Sequence, residues 1–170
     1  MRTPARIAKH PIHPMLVPIP IGLWLFSLVC DLAHRFGATS PSWEIVAWYT
    51  MLGGIVGAVV AALPGLVDLL SLPAPVKHIG VAHMTLNLTV VVLYLVNAWI
   101  RREGVSDAAI WLSVVSVALL GVSGWLGGEM VYARGVAVEQ QAAQGVRYAG
   151  VDRRKAANTA YYGPERRIAA

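Results

Sequence analysis

The sequence predicts an all-α membrane protein whose four transmembrane helices form an antiparallel, up-down-up-down bundle. Of its 170 residues, 56% are hydrophobic and only 14% are charged, whereas a soluble domain carries about a quarter charged residues. Four stretches contain no Asp, Glu, Lys or Arg: residues 11–30, 45–67, 78–100 and 108–128. Each is close to the roughly 20 apolar residues that a helix needs to cross a bilayer. The turns between them are short, which makes neighbouring helices antiparallel.

Each helix has a recognisable start or end. Pro14 suits the first turn of a helix, and residues that precede a proline are held extended, so the first helix is expected from Pro14. Turn-forming segments separate the later helices, with Ser71 to Pro75 after the second and Glu103 to Asp107 after the third. The expected spans are 14–36, 43–70, 76–102 and 108–132.

The composition divides the chain into two parts. Residues 1–138 make up the four-helix transmembrane domain, and residues 139–170 are polar, basic and without a periodic apolar face. We expect the second part to be a mobile tail whose arginines contact anionic lipid. Lys and Arg are more numerous on the side that carries both termini. The positive-inside rule therefore predicts a multi-pass protein of the bacterial inner membrane with both termini in the cytoplasm.

Charge and cysteine content narrow the protein class further. The net charge of +5 does not indicate nucleic acid as a partner, because the basic residues flank the apolar stretches or lie in the tail. A single cysteine, Cys30, allows no disulfide within the chain. The apolar run after Arg2, Arg6 and Lys9 is not followed by a small-residue cleavage site, so we expect an uncleaved first span rather than a signal peptide.

Small residues recur at steps of four in two helices. They are residues 53, 57, 61 and 65 of the second helix and residues 124 and 128 of the fourth. Such stripes let helix backbones approach closely. We expect them to pack helices within the bundle; the alternative is contact between copies of the chain, in a homo-oligomer or a larger membrane complex.

Ionisable residues gather at one end of the predicted bundle. In an antiparallel arrangement, the starts of the first and third helices lie beside the ends of the second and fourth. Seven side chains therefore converge on the cytoplasmic end: His10, His13, Asp68, Lys77, His78, His83 and Glu129. Ionisable groups inside a bilayer are costly unless paired, so they indicate a functional site. Imidazoles and carboxylates from facing helices are also typical ligands in the metal sites of helix bundles.

This cluster has several interpretations. Haem would need two axial histidines facing each other, and His13 with His83 is the best-placed pair. A transition metal would be bound by His10, His13, Asp68, His83 and Glu129. In a structural or assembly protein the same residues would only hydrogen-bond the helices together, and a proton- or quinone-linked role is a further alternative. The sequence contains no recognisable catalytic motif, so no catalytic residue is assigned.

The third helix carries a polar stripe on one face. Its members recur at helical steps and are His83, Asn87, Tyr94 and Asn97. Because a polar face is disfavoured against lipid, we expect this stripe to point into the bundle.

The opposite end of the bundle is predicted to be an ordinary solvated rim. Asp31 and Arg35 are one helical turn apart, which is typical of a surface ion pair. Arg101, Arg102 and Glu103 complete this rim.

The first and last segments of the domain resemble a known bacterial family. The opening HPIHP from His10 and the closing GGEMVYARGVAV up to Val138 are similar to motifs of the family catalogued as domain of unknown function 2231. The resemblance implies a four-span protein of the bacterial inner membrane and no established activity. In that family a His is frequent at the position of Arg134 and a Gly at that of Ala137, so this chain departs from the pattern at both.

Overall fold

The computed structural model describes residues 3–138, which belong to one compact unit. The tail predicted for residues 139–170 lies outside the described residues. Four helical segments are long and apolar enough to cross a membrane: Ile12–Arg35, Ser42–Leu70, Ala74–Ile100 and Asp107–Ala133. The prediction of an all-α protein with four membrane-spanning helices is therefore confirmed.

The described part of the chain contains a short β-hairpin followed by helices. The elements are β1 (Arg6–Ile7), β2 (His10–Pro11), α1 (Ile12–Leu16), α2 (Pro18–Arg35), α3 (Ser42–Leu70), α4 (Ala74–Ile100) and α5 (Asp107–Gly128). A 3₁₀ turn, Arg101–Glu103, follows α4, and a π-helical turn, Glu129–Ala133, follows α5. Helices α1 and α2 form the first span, because the residue that joins them keeps a helical conformation.

The N-terminal hairpin explains where the first helix begins. Strands β1 and β2 pair antiparallel, and Ala8 and Lys9 between them have φ of 47° and 71°, as a two-residue type I′ turn requires. The backbone N–H of Ile12 then donates to the carbonyl of Ala5 at 3.0 Å. The chain is extended at Pro11 and helical from Ile12, which puts His13 inside the first helical turn.

The helices pack as two antiparallel hairpins. In the first hairpin (α1 to α3), Ser27 Oγ donates to the carbonyl of Ala47 at 2.7 Å, so the end of α2 lies beside the start of α3. In the second hairpin (α4 and α5), Asn97 Nδ2 donates to the carbonyl of Ala109 at 2.8 Å in the same manner. Contacts within each hairpin are more extensive than contacts between the hairpins.

The small residues of α3 let the first hairpin close tightly. A Cβ added to Gly53 or Gly57 would lie 3.3 Å from a side chain of the first span, and one added to Gly65 would lie 2.8 Å from the His13 ring. The α3 stripe therefore packs within the bundle, as expected. On α5, by contrast, Gly121 and Gly124 face open space, with no atom within 4 Å of an added Cβ.

The outer surface of the bundle is apolar and banded by aromatic residues. At one end Trp99 and Trp111 are exposed, and at the other Trp125 and Tyr132. Aromatic side chains at both ends of an apolar band are typical of the two membrane–water interfaces. The large apolar side chains exposed between these bands are suited to contact with lipid.

Candidate functional site

His13 and His83 meet between the two hairpins at one end of the bundle. Their ring centroids are 6.4 Å apart and their planes are nearly perpendicular, at 86°. His13 belongs to α1 and His83 to α4, so the contact joins helices that are distant in the chain. These are the two histidines that the sequence predicts as the best-placed pair.

The His13 ring is fixed by a backbone carbonyl of α3. Its Nδ1 lies 2.8 Å from the carbonyl oxygen of Ala61. Because a carbonyl oxygen can only accept, Nδ1 carries the proton and Nε2 has the free lone pair. Gly65, one turn further along α3, leaves the space that the ring occupies. Among residues 3–138, no hydrogen bond to Nε2 of His13 is present.

The His83 ring is fixed in the same way by α5. Its Nδ1 lies 2.8 Å from the carbonyl oxygen of Ser123 and 3.0 Å from the Ser123 hydroxyl oxygen. Gly127, one turn further along α5, approaches the ring so closely that an added Cβ would lie 3.3 Å from Cε1. Both imidazoles therefore have the same tautomer, with Nδ1 as donor and Nε2 as acceptor.

Asn87 gives His83 a second polar partner. Its Nδ2 donates to the backbone carbonyl of His83 at 2.9 Å and lies 3.1 Å from His83 Nε2. The amide thus occupies the one lone pair of His83 that a ligand would need. In the described structure both ring nitrogens of His83 have hydrogen-bond partners, whereas His13 has only one.

The other three predicted site residues lie apart from the histidine pair. Asp68 is buried at the end of α3, where its Oδ1 accepts from the backbone N–H of Ala5 at 3.0 Å. Glu129 lies 3.4 Å from Arg134 Nε in an ion pair at the π-helical turn. His10 is exposed on the N-terminal hairpin. Within residues 3–138, no group of three or more His, Cys, Asp or Glu side chains could hold a metal ion.

The opposite end of the bundle differs from the rim that the sequence predicted. Asp31 does not pair with Arg35; it forms a bidentate ion pair with Arg101, whose Nη1 donates to Oδ1 at 2.7 Å and whose Nη2 donates to Oδ2. Arg35 instead pairs with Asp107 at 3.1 Å on the surface. The error arose because helical spacing within α2 favoured Arg35, whereas the real partner comes from the turn after α4.

A hydrogen-bond network surrounds the Asp31–Arg101 ion pair. Arg101 Nε donates to Asn97 Oδ1 at 2.8 Å, and Asn97 Nδ2 donates to Ser113 Oγ at 2.8 Å. One turn before Asn97, Tyr94 stacks on Trp24 with ring centroids 4.3 Å apart. The polar stripe of α4 therefore points into the bundle, as predicted.

Sequence reasoning missed the groups that hold the two histidines. Ser123 contributes mainly through its backbone carbonyl. Nothing in a single sequence shows which backbone carbonyl will accept a hydrogen bond from a side chain of another helix. Gly65 and Gly127 were visible in the sequence, but their relation to the rings depends on the depth at which the helices cross. The sequence predicts a surface position for Arg101, because this residue directly follows the charge-free stretch 78–100.

Comparison with known proteins agrees with the membrane architecture. The family model described as "Predicted membrane protein (DUF2231)" matches residues 9–140. Neither the curated proteins nor the solved structures include a match to this chain.

Proposed function

Since this chain belongs to the family of predicted membrane proteins called domain of unknown function 2231, we propose that it is a small membrane protein that binds one metal centre between His13 and His83. One observation carries this proposal. Both rings donate Nδ1–H to a backbone carbonyl, at 2.8 Å in each case. In metal sites this second hydrogen bond fixes the ring and leaves Nε2 to bind the metal.

The separation of the rings fits a shared metal atom. Imidazole nitrogens bind metals at about 2.0–2.1 Å, so two rings that share one metal must lie close together. The centroids of His13 and His83 are 6.4 Å apart. Binding would require Asn87 to release His83 Nε2, which it now contacts at 3.1 Å.

The charge of the site favours haem iron over a bare divalent ion. Among residues 3–138, no carboxylate joins the histidine pair, because Asp68 and Glu129 are engaged elsewhere. An uncompensated divalent charge is costly in a low-dielectric interior, whereas the porphyrin of haem supplies two negative charges of its own. His13 and His83 would hold the haem iron, and haem would supply one-electron chemistry.

A structural function is the alternative, and one observation favours it. His83 already has partners at both ring nitrogens among the described residues, so it satisfies its hydrogen bonds without a metal. Interhelical bonds of this kind stabilise helix packing in membranes. In that case His83→Gln, which keeps polar groups at the site, would preserve the function of the protein.

Spectroscopy of the full-length protein separates these functions. The protein is purified in detergent, incubated with haemin or with a single transition metal, and freed of excess ligand. We expect a Soret band with haem, at one haem per chain, and its loss in His13→Ala and His83→Ala. His78→Ala is the matched control, because His78 is exposed on the same helix. A folded wild-type protein that retains neither haem nor metal contradicts the proposal.

The location of the protein is part of the same proposal. The excess of Lys and Arg on the side of the termini supports a bacterial inner-membrane protein with both termini in the cytoplasm, which would put the histidine pair on the cytoplasmic half. The basic segment after residue 138 would then face anionic lipid. A topology reporter fused after Ala170 tests this orientation, and activity on the periplasmic side would contradict it.

A further inference from the structure

The two hairpins meet through side chains that recur with one spacing. His13 contacts His83, Trp24 stacks on Tyr94, and Asp31 pairs with Arg101. In each pair the second residue is 70 positions after the first. The order of these residues along the first span is also their order along α4, so the two helices run in the same direction and match residue for residue.

The partner helices within the hairpins follow a second constant spacing. His13 bonds to the carbonyl of Ala61 and His83 to that of Ser123, which lies 62 positions later. Ser27 bonds to the carbonyl of Ala47, and its counterpart Asn97 bonds to that of Ala109, again 62 positions later. The glycines that seat the two histidine rings, Gly65 and Gly127, differ by the same 62.

These correspondences describe two copies of one hairpin about a two-fold axis along the bundle. The three pairs, His13–His83, Trp24–Tyr94 and Asp31–Arg101, lie on this axis and are called the axial pairs. Each axial pair joins equivalent positions of the two copies. At the histidine level the equivalent residues are identical, and at the Trp24–Tyr94 level they are both aromatic. At the level of Asp31 and Arg101 they are opposite in charge. This level is therefore where the two copies differ most in chemistry.

We propose that the Asp31–Arg101 pair determines which hairpins associate: it selects the first hairpin with the second and opposes pairing between two like hairpins of different chains. In a like pair the same residue would face itself on the axis. Two Asp31 carboxylates or two Arg101 guanidinium groups would then lie together where the native side chains are 0% and 1% exposed. Like charges in such an interior repel strongly, so only the unlike pair is stable.

The surrounding residues assign the cation to the second hairpin. Asn97 accepts from Arg101 Nε at 2.8 Å, whereas its equivalent Ser27 is engaged with the carbonyl of Ala47. Other axial contacts do not discriminate in this way, because two Trp24 rings or two His13 rings could face each other without charge repulsion. The choice of partner depends on the ion pair.

Co-expression of two full-length chains with different affinity tags tests this proposal. The quantity measured is the fraction of one tag that co-purifies with the other in detergent. In Asp31→Leu/Arg101→Leu, which removes the charges, we expect this fraction to rise several-fold over wild type. In Asp31→Arg/Arg101→Asp, which reverses the pair but keeps it unlike, we expect the wild-type fraction.

Two further variants make the result decisive. Arg35→Leu/Asp107→Leu removes a surface ion pair at the same end of the bundle and should leave the fraction unchanged. Asp31→Asn/Arg101→Gln removes charge but keeps polarity; it replaces the leucine variant if that variant loses its helical circular dichroism. Equal co-purification in the wild type and in the folded uncharged variant would overturn the proposal, as would a several-fold rise in the reversed variant.

Discussion

Asp31 and Arg101 form a bidentate ion pair that is almost completely shielded, with side chains 0% and 1% exposed, and that joins α2 to the turn after α4. Removing either partner leaves the other charge buried and alone, whereas removing both leaves none.

We expect Asp31→Ala or Arg101→Ala to lower the free energy of unfolding by about 3–5 kcal/mol. Asp31→Leu/Arg101→Leu should lose much less, because no lone charge remains. The measurement is equilibrium unfolding in detergent micelles. Arg35→Ala is the control, since its exposed partnership with Asp107 contributes about 1 kcal/mol or less. Equal losses in the buried and exposed pairs would show that Asp31 and Arg101 are not shielded from solvent.

Gly65 should not tolerate a side chain. A Cβ there would lie 2.8 Å from His13 Nδ1, so Gly65→Ala pushes the ring from its hydrogen bond with Ala61. Overpacking of this kind costs about 1–3 kcal/mol. Gly124→Ala is the matched control: it faces open space and should stabilise its helix by up to about 1 kcal/mol. Thermal unfolding of both variants measures the difference. A Gly65→Ala variant as stable as the wild type would show that the His13 ring does not lie against Gly65.

Ala137 is held in a conformation that favours glycine. Its φ is +62°, a region that costs a residue with a Cβ about 1–2 kcal/mol. Ala137→Gly should therefore stabilise the protein by about 0.5–1 kcal/mol, after the larger unfolded-state entropy of Gly is subtracted. Ala133 does not have a positive φ, so Ala133→Gly should instead destabilise the protein. A loss of stability in both variants would argue against the left-handed conformation at Ala137.

Tyr94 carries a hydroxyl that the bundle does not use. The side chain is fully buried, and within residues 3–138 its hydroxyl has no hydrogen-bond partner. An unpaired buried polar group costs about 1–3 kcal/mol, so Tyr94→Phe should raise the free energy of unfolding while keeping the stack on Trp24. Trp24→Phe should lower it, because Nε1 of Trp24 donates to the Met51 carbonyl at 3.2 Å. A destabilised Tyr94→Phe would mean that the hydroxyl is satisfied in the folded protein.

The sequence was sufficient for features that depend on one helix at a time. Charge-free length predicted the membrane-spanning helices, and helical spacing predicted that Tyr94 and Asn97 point inward; both are fully buried. The meeting of His13 and His83 also followed, because each lies near the start of a span on the same side of an antiparallel bundle.

Features that depend on two helices at once were not predictable. Asp68 and Glu129 lie at the expected end but are rotated towards Ala5 and Arg134, and the rotation of a helix about its axis is set by packing. Asp31 and Arg101 are 70 residues apart, and no local pattern links them. Their correspondence emerges only when the two hairpins are compared in three dimensions.

The unequal spacings of the repeat, 70 for the first helices and 62 for the second, mean that the first hairpin is eight residues longer than the second. Helix α2 continues to Arg35, five positions beyond the equivalent of the end of α4, and α3 begins three positions before the equivalent of the start of α5. Because the 3₁₀ turn Arg101–Glu103 continues α4 by three more residues, the first hairpin extends only two positions further on its α2 side. On its α3 side it extends three positions further, or about 4.5 Å at about 1.5 Å per residue. The turn at Gly37, between α2 and α3, is therefore a suitable insertion site for protein engineering. An epitope or a fusion partner inserted there would project beyond the shorter hairpin and leave the axial pairs undisturbed.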